Sequence, residues 1–242
     1  MKNLLVKNLF VAASSVVFVG TAFADNLITN GDFEGGNLAG WTVNGTGCCG
    51  NSFYAIANGA SVPSGNPTAF NPGGGLFAAV SDQGESGGEE LRQGFTKGAD
   101  GLMLSFDWFN KTRAPYNGTG LIDGSDPQQT GRVDILFAGA APFDTGAGVA
   151  MNLLLNAGTF TPSILTIPWV SSSFDLSGLA AGSYEVRFGN GQCCSYQEFG
   201  VDNVSITLPP VPEPETYVML LAGLGLLGFA ARRRKQKEAP AA

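Results

Sequence analysis

The chain has 242 residues, of which 35 are glycine and none is histidine; hydrophobic residues make up 44% and charged residues 14%. The absence of histidine excludes Ser-His-Asp and Cys-His catalysis, and His-ligated zinc, copper and non-haem iron with them. Net charge is −7, and residues 25–211 hold 6 Lys and Arg against 17 Asp and Glu, a balance that repels phosphate backbones and excludes nucleic acid as a partner.

Residues 1–24 read as a signal peptide. Lys2 and Lys7 supply the positive start, Leu9 to Val19 is apolar apart from Ser14 and Ser15, and Ala22-Phe23-Ala24 places small residues where a signal peptidase cuts. The mature chain is expected to begin at Asp25, outside the cytoplasm.

Residues 25–208 read as one all-β domain. Short runs of alternating apolar and polar residues predict strands near 26–33, 53–57, 76–81, 91–95, 165–174 and 200–208. Leu102, Leu104, Phe106 and Trp108 share one parity, as do Val133, Ile135 and Phe137, and Tyr184, Val186 and Phe188. The polar residues between them, and the acidic charge generally, read as a solvated face. Gly146 to Gly158 is ambiguous between helix and strand. Eight or more strands with one apolar face each pack as two sheets, a β-sandwich of jelly-roll type.

The order of local motifs carries a resemblance: Asn26-Leu27-Ile28-Thr29-Asn30-Gly31-Asp32-Phe33-Glu34 leading to Gly40-Trp41, then Leu91-Arg92-Gln93-Gly94-Phe95 and Leu104-Ser105-Phe106. Trp169 with Ser173-Phe174-Asp175-Leu176 follows, and Val201-Asp202-Asn203-Val204-Ser205-Ile206 closes the series. This resembles the galactose-binding-like sandwich found in many carbohydrate-binding modules. The resemblance implies sugar binding, with polysaccharide as the partner, as one of several uses of the fold, and a structural calcium tying the first strand to the last, through Glu34 and Asp202 with Asp32 as an accessory. The residues themselves point the same way. Asp202 shares parity with Val204, Ile206 and Leu208, and a carboxylate at a core edge needs a partner. Calcium takes six to eight oxygen ligands. The alternatives are two exposed loop carboxylates, or an Asp capping local backbone amides.

Four cysteines form two adjacent pairs, Cys48-Cys49 and Cys193-Cys194. In an exported chain an even count favours disulfides. A four-cysteine zinc site, which normally spaces its ligands, and free or vicinally bonded thiols are the alternatives.

Trp108 has core parity and Trp41 matches a core position of the resembled family. Tyr116 lies in the long polar stretch from Asn110 to Gly131, and Tyr54 and Tyr196 each lie near a cysteine pair, so these three tyrosines are the candidate glycan contacts. A glycan hydrolase would need two carboxylates facing across a cleft. Asp123 with Asp126, and Glu89 with Glu90, are candidates by proximity alone, so the body is expected to be noncatalytic: a polysaccharide-contacting protein, or else a structural matrix protein without a specific glycan.

Residues 209–216 form a stiff linker containing Pro212-Glu213-Pro214. An uncharged run, 217–231, follows as a single hydrophobic helix; at 1.5 Å per residue its fifteen residues reach roughly 22 Å, short of the ~30 Å bilayer core. Residues 232–242 open with Arg232-Arg233-Arg234-Lys235 and are expected to stay cytoplasmic by the positive-inside rule.

Pro-Glu-Pro, a short glycine-bearing apolar helix and an arginine cluster, in that order, resemble the PEP-CTERM sorting signal, a kind of tail also described as an ice-binding protein C-terminal segment. The resemblance implies a membrane-embedded exosortase as processing partner. It also implies residence in the envelope, on the outer surface or in the extracellular matrix of a Gram-negative bacterium, with the 217–231 helix in the membrane before processing.

Overall fold

Alternating β-branched and aromatic residues punctuated by Gly, Pro and Asn leave this chain few options other than paired strands. The computed structural model describes residues 25–47, 52–82, 86–98, 101–112, 120–125, 129–156, 165–192, 197–208 and 221–228. Among them are ten strands: β1 Thr42–Gly47, β2 Ser52–Ala57, β3 Phe77–Asp82, β4 Gly87–Lys97 and β5 Met103–Thr112. The rest are β6 Thr130–Phe137, β7 Val149–Asn156, β8 Leu165–Asp175, β9 Gly182–Gln192 and β10 Gln197–Thr207.

The pairing follows one rule. β3 pairs with β10, β4 with β9, β5 with β8 and β6 with β7, always antiparallel. The chain from β7 to β10 thus retraces the chain from β3 to β6 as one long ribbon. Wrapped between two layers, the ribbon gives sheet A, ordered β1-β4-β9-β6-β7, and sheet B, ordered β2-β3-β10-β5-β8. This is the jelly roll expected from the sequence, with β1 and β2 added at the edges.

The inward faces form one core. Leu91, Leu104, Val133, Val186 and Ile206 are fully buried. Phe106 meets Phe188 edge-on at 5.2 Å between ring centroids, and Trp41 packs between Phe33 and Phe188. Each such side chain contributes about 1.5–3 kcal/mol by leaving water. Trp41 and Trp108 both belong to this core, as their positions in the sequence suggested.

Four expectations need correction. Residues 26–33 are bends and irregular chain, not a strand: Asn30 and Phe33 have positive φ (51° and 54°), outside the extended region that a regular strand needs. The segment still lies along β10, with Leu27 donating to the Ile206 carbonyl and Val204 to that of Gly31. The ambiguous stretch resolves as β7, and β1 was not foreseen because its run of Thr, Asn and Gly lacks an apolar stripe. Phe137, at the end of β6, is exposed although Val133 and Ile135 are buried. Lastly, the polar parity is not simply solvated: Glu90, Arg92, Arg132, Asp134 and Arg187 are buried on the outer face of sheet A.

The described C-terminal helix spans residues 221–228, about 12 Å. No helix among the described residues is long and apolar enough to cross a membrane. Residues 1–24, Pro212 to Pro214 and Arg232 to Arg234 lie outside the described residues.

Candidate functional site

The sequence placed Asp202 toward the core, and a bulge reverses it. The β10–β5 register shifts between Asp202 and Ser205, and Asn203 takes a positive φ of 52°. Val201 and Val204 therefore both face the core, while Asp202 pairs with Asp107 on the outer face of sheet B. It is nevertheless only 1% exposed. The segment from Asn71 to Gly75 lies over it so closely that a Cβ at Gly74 would fall within 2.5 Å of Asp202 Oδ2. Asn71 Nδ2 donates to Oδ2 at 3.3 Å and the Asn203 amide to Oδ1 at 2.7 Å. Burial, reinforced by repulsion from Asp107 and Glu34, outweighs these bonds and pushes the Asp202 carboxyl up to about 7.

Glu34 reaches the same segment from the other side. Its two oxygens accept the Leu76 amide at 2.7 and 2.9 Å, and Oε1 also accepts that of Phe77 at 3.2 Å. This clamp fastens the N-terminal segment to the start of β3, and it requires Gly75, where any Cβ would overlap the Glu34 carboxylate. Glu34 and Asp202, expected as calcium ligands, are thus drawn to one loop. Asp32 is not drawn there: it is exposed, accepts the Glu34 amide at 3.5 Å, and lines an open depression of about 330 Å³ with Asn203 and Val204. Asp107 and Asn71 complete the surroundings of Asp202. Neither was singled out from the sequence, because the pairing that brings them together is long-range.

Among the described residues no group of three or more Asp, Glu or Cys is arranged to hold a metal ion. The donor set at Asp202 nevertheless suits a hard cation in kind. Two carboxylates supply oxygens of the kind such a cation takes, while Asn71 turns its Nδ2 rather than its oxygen toward Asp202, and a carboxyl raised mainly by burial, with neighbouring negative charge adding to it, is one that a cation would ionise.

Beside Asp202, the outer face of β5, β8 and β10 carries an open polar strip. Ser105 Oγ and Ser173 Oγ share a hydrogen bond at 2.9 Å, and Asp107 accepts from the Ser171 hydroxyl and, at 2.8 Å, from Asn203 Nδ2. Ser171, Ser173 and Asn203 are exposed. The other half of the same face is filled: Phe109, Val80 and Ile56 form a second small core with Val62 beneath the loop after β2, and Trp169 donates Nε1 to the Ala69 carbonyl. Tyr54, a candidate glycan contact, is half-buried against this cluster. Tyr116 and Tyr196 lie outside the described residues.

The outer face of sheet A is filled too. Arg132 grips Asp134 with two parallel bonds of 2.7 and 2.8 Å, and Arg187 and Asn152 donate to the same carboxylate. Burial works against the ionised Asp134, but Arg132 and Arg187 more than offset it and hold its carboxyl below the usual range. Arg92 pairs with Glu90 at 2.8 Å and donates to the carbonyls of Ala140 and Ala141, which ties down the β6–β7 loop. At the other end, residues 121–124 lie flat across Gly88, Gly189 and Gly191, and a Cβ at Gly88 would strike the Ile122 carbonyl. The chain occupies its own groove.

Of the acid pairs considered for hydrolysis, the one within the described residues does not face across a cleft. Glu89 and Glu90 are consecutive in β4 and so point to opposite faces. Asp123 accepts the hydroxyl and amide of Ser125, which hold its carboxyl below the usual range as a local turn brace; Asp126 lies outside the described residues.

Between the sheets, the core turns polar at one end. Glu89 faces inward, fully buried, accepting from Asn190 Nδ2 at 3.1 Å, and Asn190 also reaches Ser81 across the gap. Burial pushes the Glu89 carboxyl well up. Both polar atoms of the buried Asn110 side chain have no partner among the described residues. The cysteine pairs, Cys48-Cys49 and Cys193-Cys194, lie outside the described residues but follow strands that end here.

Comparison with known proteins fixes the address. Residues 210–235 match the PEP-CTERM protein-sorting motif. The chain carries an exosortase sorting signal. It is therefore an exported, envelope-directed protein, as the tail suggested. No curated protein matches the chain. Among solved structures it is similar to the carbohydrate-binding module TmCBM61, solved with beta-1,4-galactotriose (13% identity, 77% of this chain and 100% of that one, TM-score 0.46). It is similar also to the K3 cleaved adhesin domain of Lys-gingipain from Porphyromonas gingivalis (18% identity, 76% and 99% covered, TM-score 0.47). A Stig cyclase from Fischerella sp. TAU stands at 13% identity, with 78% and 100% covered and a TM-score of 0.46. A fold does not carry an activity, so activity has to be argued from this chain's own side chains.

Proposed function

We propose that the exported body is a noncatalytic surface or matrix protein of a Gram-negative bacterium that contacts extracellular polysaccharide through the polar strip on sheet B, with calcium at Asp202 and Glu34 holding the rim of that strip. The observation that carries this reading is the contrast between the two outer faces. Sheet A is covered by the chain's own 120–125 and 138–148 segments, whereas on sheet B the cross-strand pairs Ser105–Ser173 and Asp107–Ser171 are uncovered, the β8 serines exposed and the β5 residues half-buried. Hydroxyls and a carboxylate at the ~4.8 Å spacing of neighbouring strands offer the donors and acceptors that sugar hydroxyls satisfy. Calcium would be held by the Asp202 and Glu34 carboxylates with Asn71 alongside; its role is to ionise Asp202 and fasten the 71–77 segment to β10. Export begins with a signal peptidase at Ala24 and ends with an exosortase acting near Pro212-Glu213-Pro214, the 217–231 helix engaging the membrane in between.

The test compares retention of the exported wild-type protein and its Asp107→Ala variant on polysaccharide purified from the host. Losing a charge-assisted hydrogen bond should weaken saturable retention by about tenfold or more. Equal retention of the two folded proteins contradicts the assignment of the strip. The rival reading, a structural matrix protein with no specific glycan, predicts no saturable retention of either.

A further inference from the structure

The open strip on sheet B ends at an aromatic ring. Trp169, Ser171 and Ser173 alternate along β8 and share its outer face, each about 7 Å beyond the last. Trp169 stands where the loop that follows β2 gives way to the strip. Its ring packs on Phe109 at 4.8 Å between centroids, tilted by 57°, and its Nε1 donates to the Ala69 carbonyl at 2.8 Å. These contacts fix the indole, yet it is only half-buried. The chain's other two tryptophans, Trp41 and Trp108, are core residues, 8% and 7% exposed.

The same loop brings a second ring to this border. Ala69 is bonded to Trp169 of β8, and Asn71 to Asp202 of β10. Phe70, between them, is stationed over β5, which lies between those two strands, and is 65% exposed. The charge here is of one sign. Arg92, Lys97, Arg132 and Arg187 belong to strands of sheet A, and Lys111, at the far end of β5, donates to the Pro67 carbonyl. Asp107 meets the Ser171 hydroxyl and the Asn203 amide, with Asp202 paired beside it. A uronate or sulfated chain laid along the strip would set its anions against these carboxylates.

We propose that Trp169, bordered by Phe70, is the stacking platform of the strip, and that the strip takes an uncharged pyranose chain. The ring C–H groups of a pyranose form an apolar face that packs on an aromatic ring, while the hydroxyls at its edge need donors and acceptors. Trp169 supplies the first, and the Asp107–Ser171 and Ser105–Ser173 pairs supply the second. From Trp169 to Ser173 the face runs about 14 Å, room for a short oligosaccharide with one ring on the indole. Because Phe109 and Ala69 already hold the indole, little freedom is lost when a sugar settles on it. The assignment rests on the polysaccharide reading and adds to it the class of sugar and the residue that selects it.

The exported protein is titrated, at fixed calcium, with polysaccharide purified from the host and separated by ion exchange into uncharged and charged fractions. The uncharged fraction should bind saturably and reduce acrylamide quenching of tryptophan fluorescence, because Trp169 is the tryptophan that solvent reaches. Trp169→Ala should weaken that binding by about tenfold or more. Phe70→Ala removes an exposed ring and leaves the Phe109 contact in place, so it serves if Trp169→Ala fails to fold, and it should weaken binding several-fold. Saturable binding that Asp107→Ala weakens, but that leaves quenching unchanged and is matched by both aromatic variants, overturns the platform and spares the polysaccharide reading. Preference for a charged fraction overturns the sugar class. No saturable binding of any fraction by the folded wild type overturns the polysaccharide reading, and the platform with it.

Discussion

Glu89 and Glu90 are adjacent in β4 and both fully buried, yet they lie on opposite faces of sheet A and in opposite electrostatic circumstances. Glu90 is gripped by Arg92, whose Nε lies 2.8 Å from its Oε1. Glu89 accepts from Asn190 and has no ion pair among the described residues, and burial pushes its carboxyl well above the usual range. Four of the six cations in residues 25–211 have side chains on sheet A, and Arg92, Arg132 and Arg187 share its outer face. The scarce positive charge of this acidic body is spent on anchoring its own loops.

The Arg132–Asp134–Arg187 cluster gives the first prediction. Asp134→Ala leaves the buried Arg132 guanidinium without its counter-charge and Arg187 with only Glu90, 3.5 Å away, and should cost about 3–5 kcal/mol, read as a lower urea midpoint. The depressed Asp134 carboxyl also fixes a sign. Stability from this group is complete above the unfolded value near 4 and is lost as pH falls through the lower folded value. Wild type should therefore lose this stability only in acid, while the variant lacks it at every pH.

Asp202 has the opposite sign. Its folded carboxyl sits at about 7, above the unfolded value near 3.9, so in the absence of calcium the folded state holds the extra proton. Stability then falls as pH rises from about 4 to about 7, by as much as about 4 kcal/mol. Asp202→Asn should flatten that fall. Added calcium should raise the melting temperature of the wild type at pH 7.5 and leave that of Asp202→Asn unchanged; an equal rise in both would place the calcium elsewhere.

The packing of 121–124 on sheet A depends on missing side chains. Gly88→Ala drives a methyl into the Ile122 carbonyl and should release this segment. Limited proteolysis is expected to cut the variant within residues 113–129 at a protease concentration that leaves wild type intact.

The jelly roll was legible in the sequence because inward residues such as Leu104, Phe106 and Phe188 alternate cleanly. The tail was legible because Pro-Glu-Pro, helix and arginines are contiguous. What long-range register decides was not. Asp202 changes face through a bulge at Asn203, a residue that tolerates positive φ but whose identity does not announce it. The arginine network was hidden for a similar reason. A strand with Arg187 between Val186 and Phe188 reads as half-solvated until the loop from Ala140 to Asp144 is seen to cover it.

The polar strip on sheet B is the centre of the functional account, and one measurement addresses it directly. Equilibrium binding of the exported protein to host polysaccharide is measured with backbone NMR shifts recorded along the titration. The account predicts saturable shifts at Ser105, Asp107, Ser171 and Ser173, weakened by a calcium chelator. Saturable shifts confined to other residues, or none in a folded, calcium-loaded sample, would contradict it.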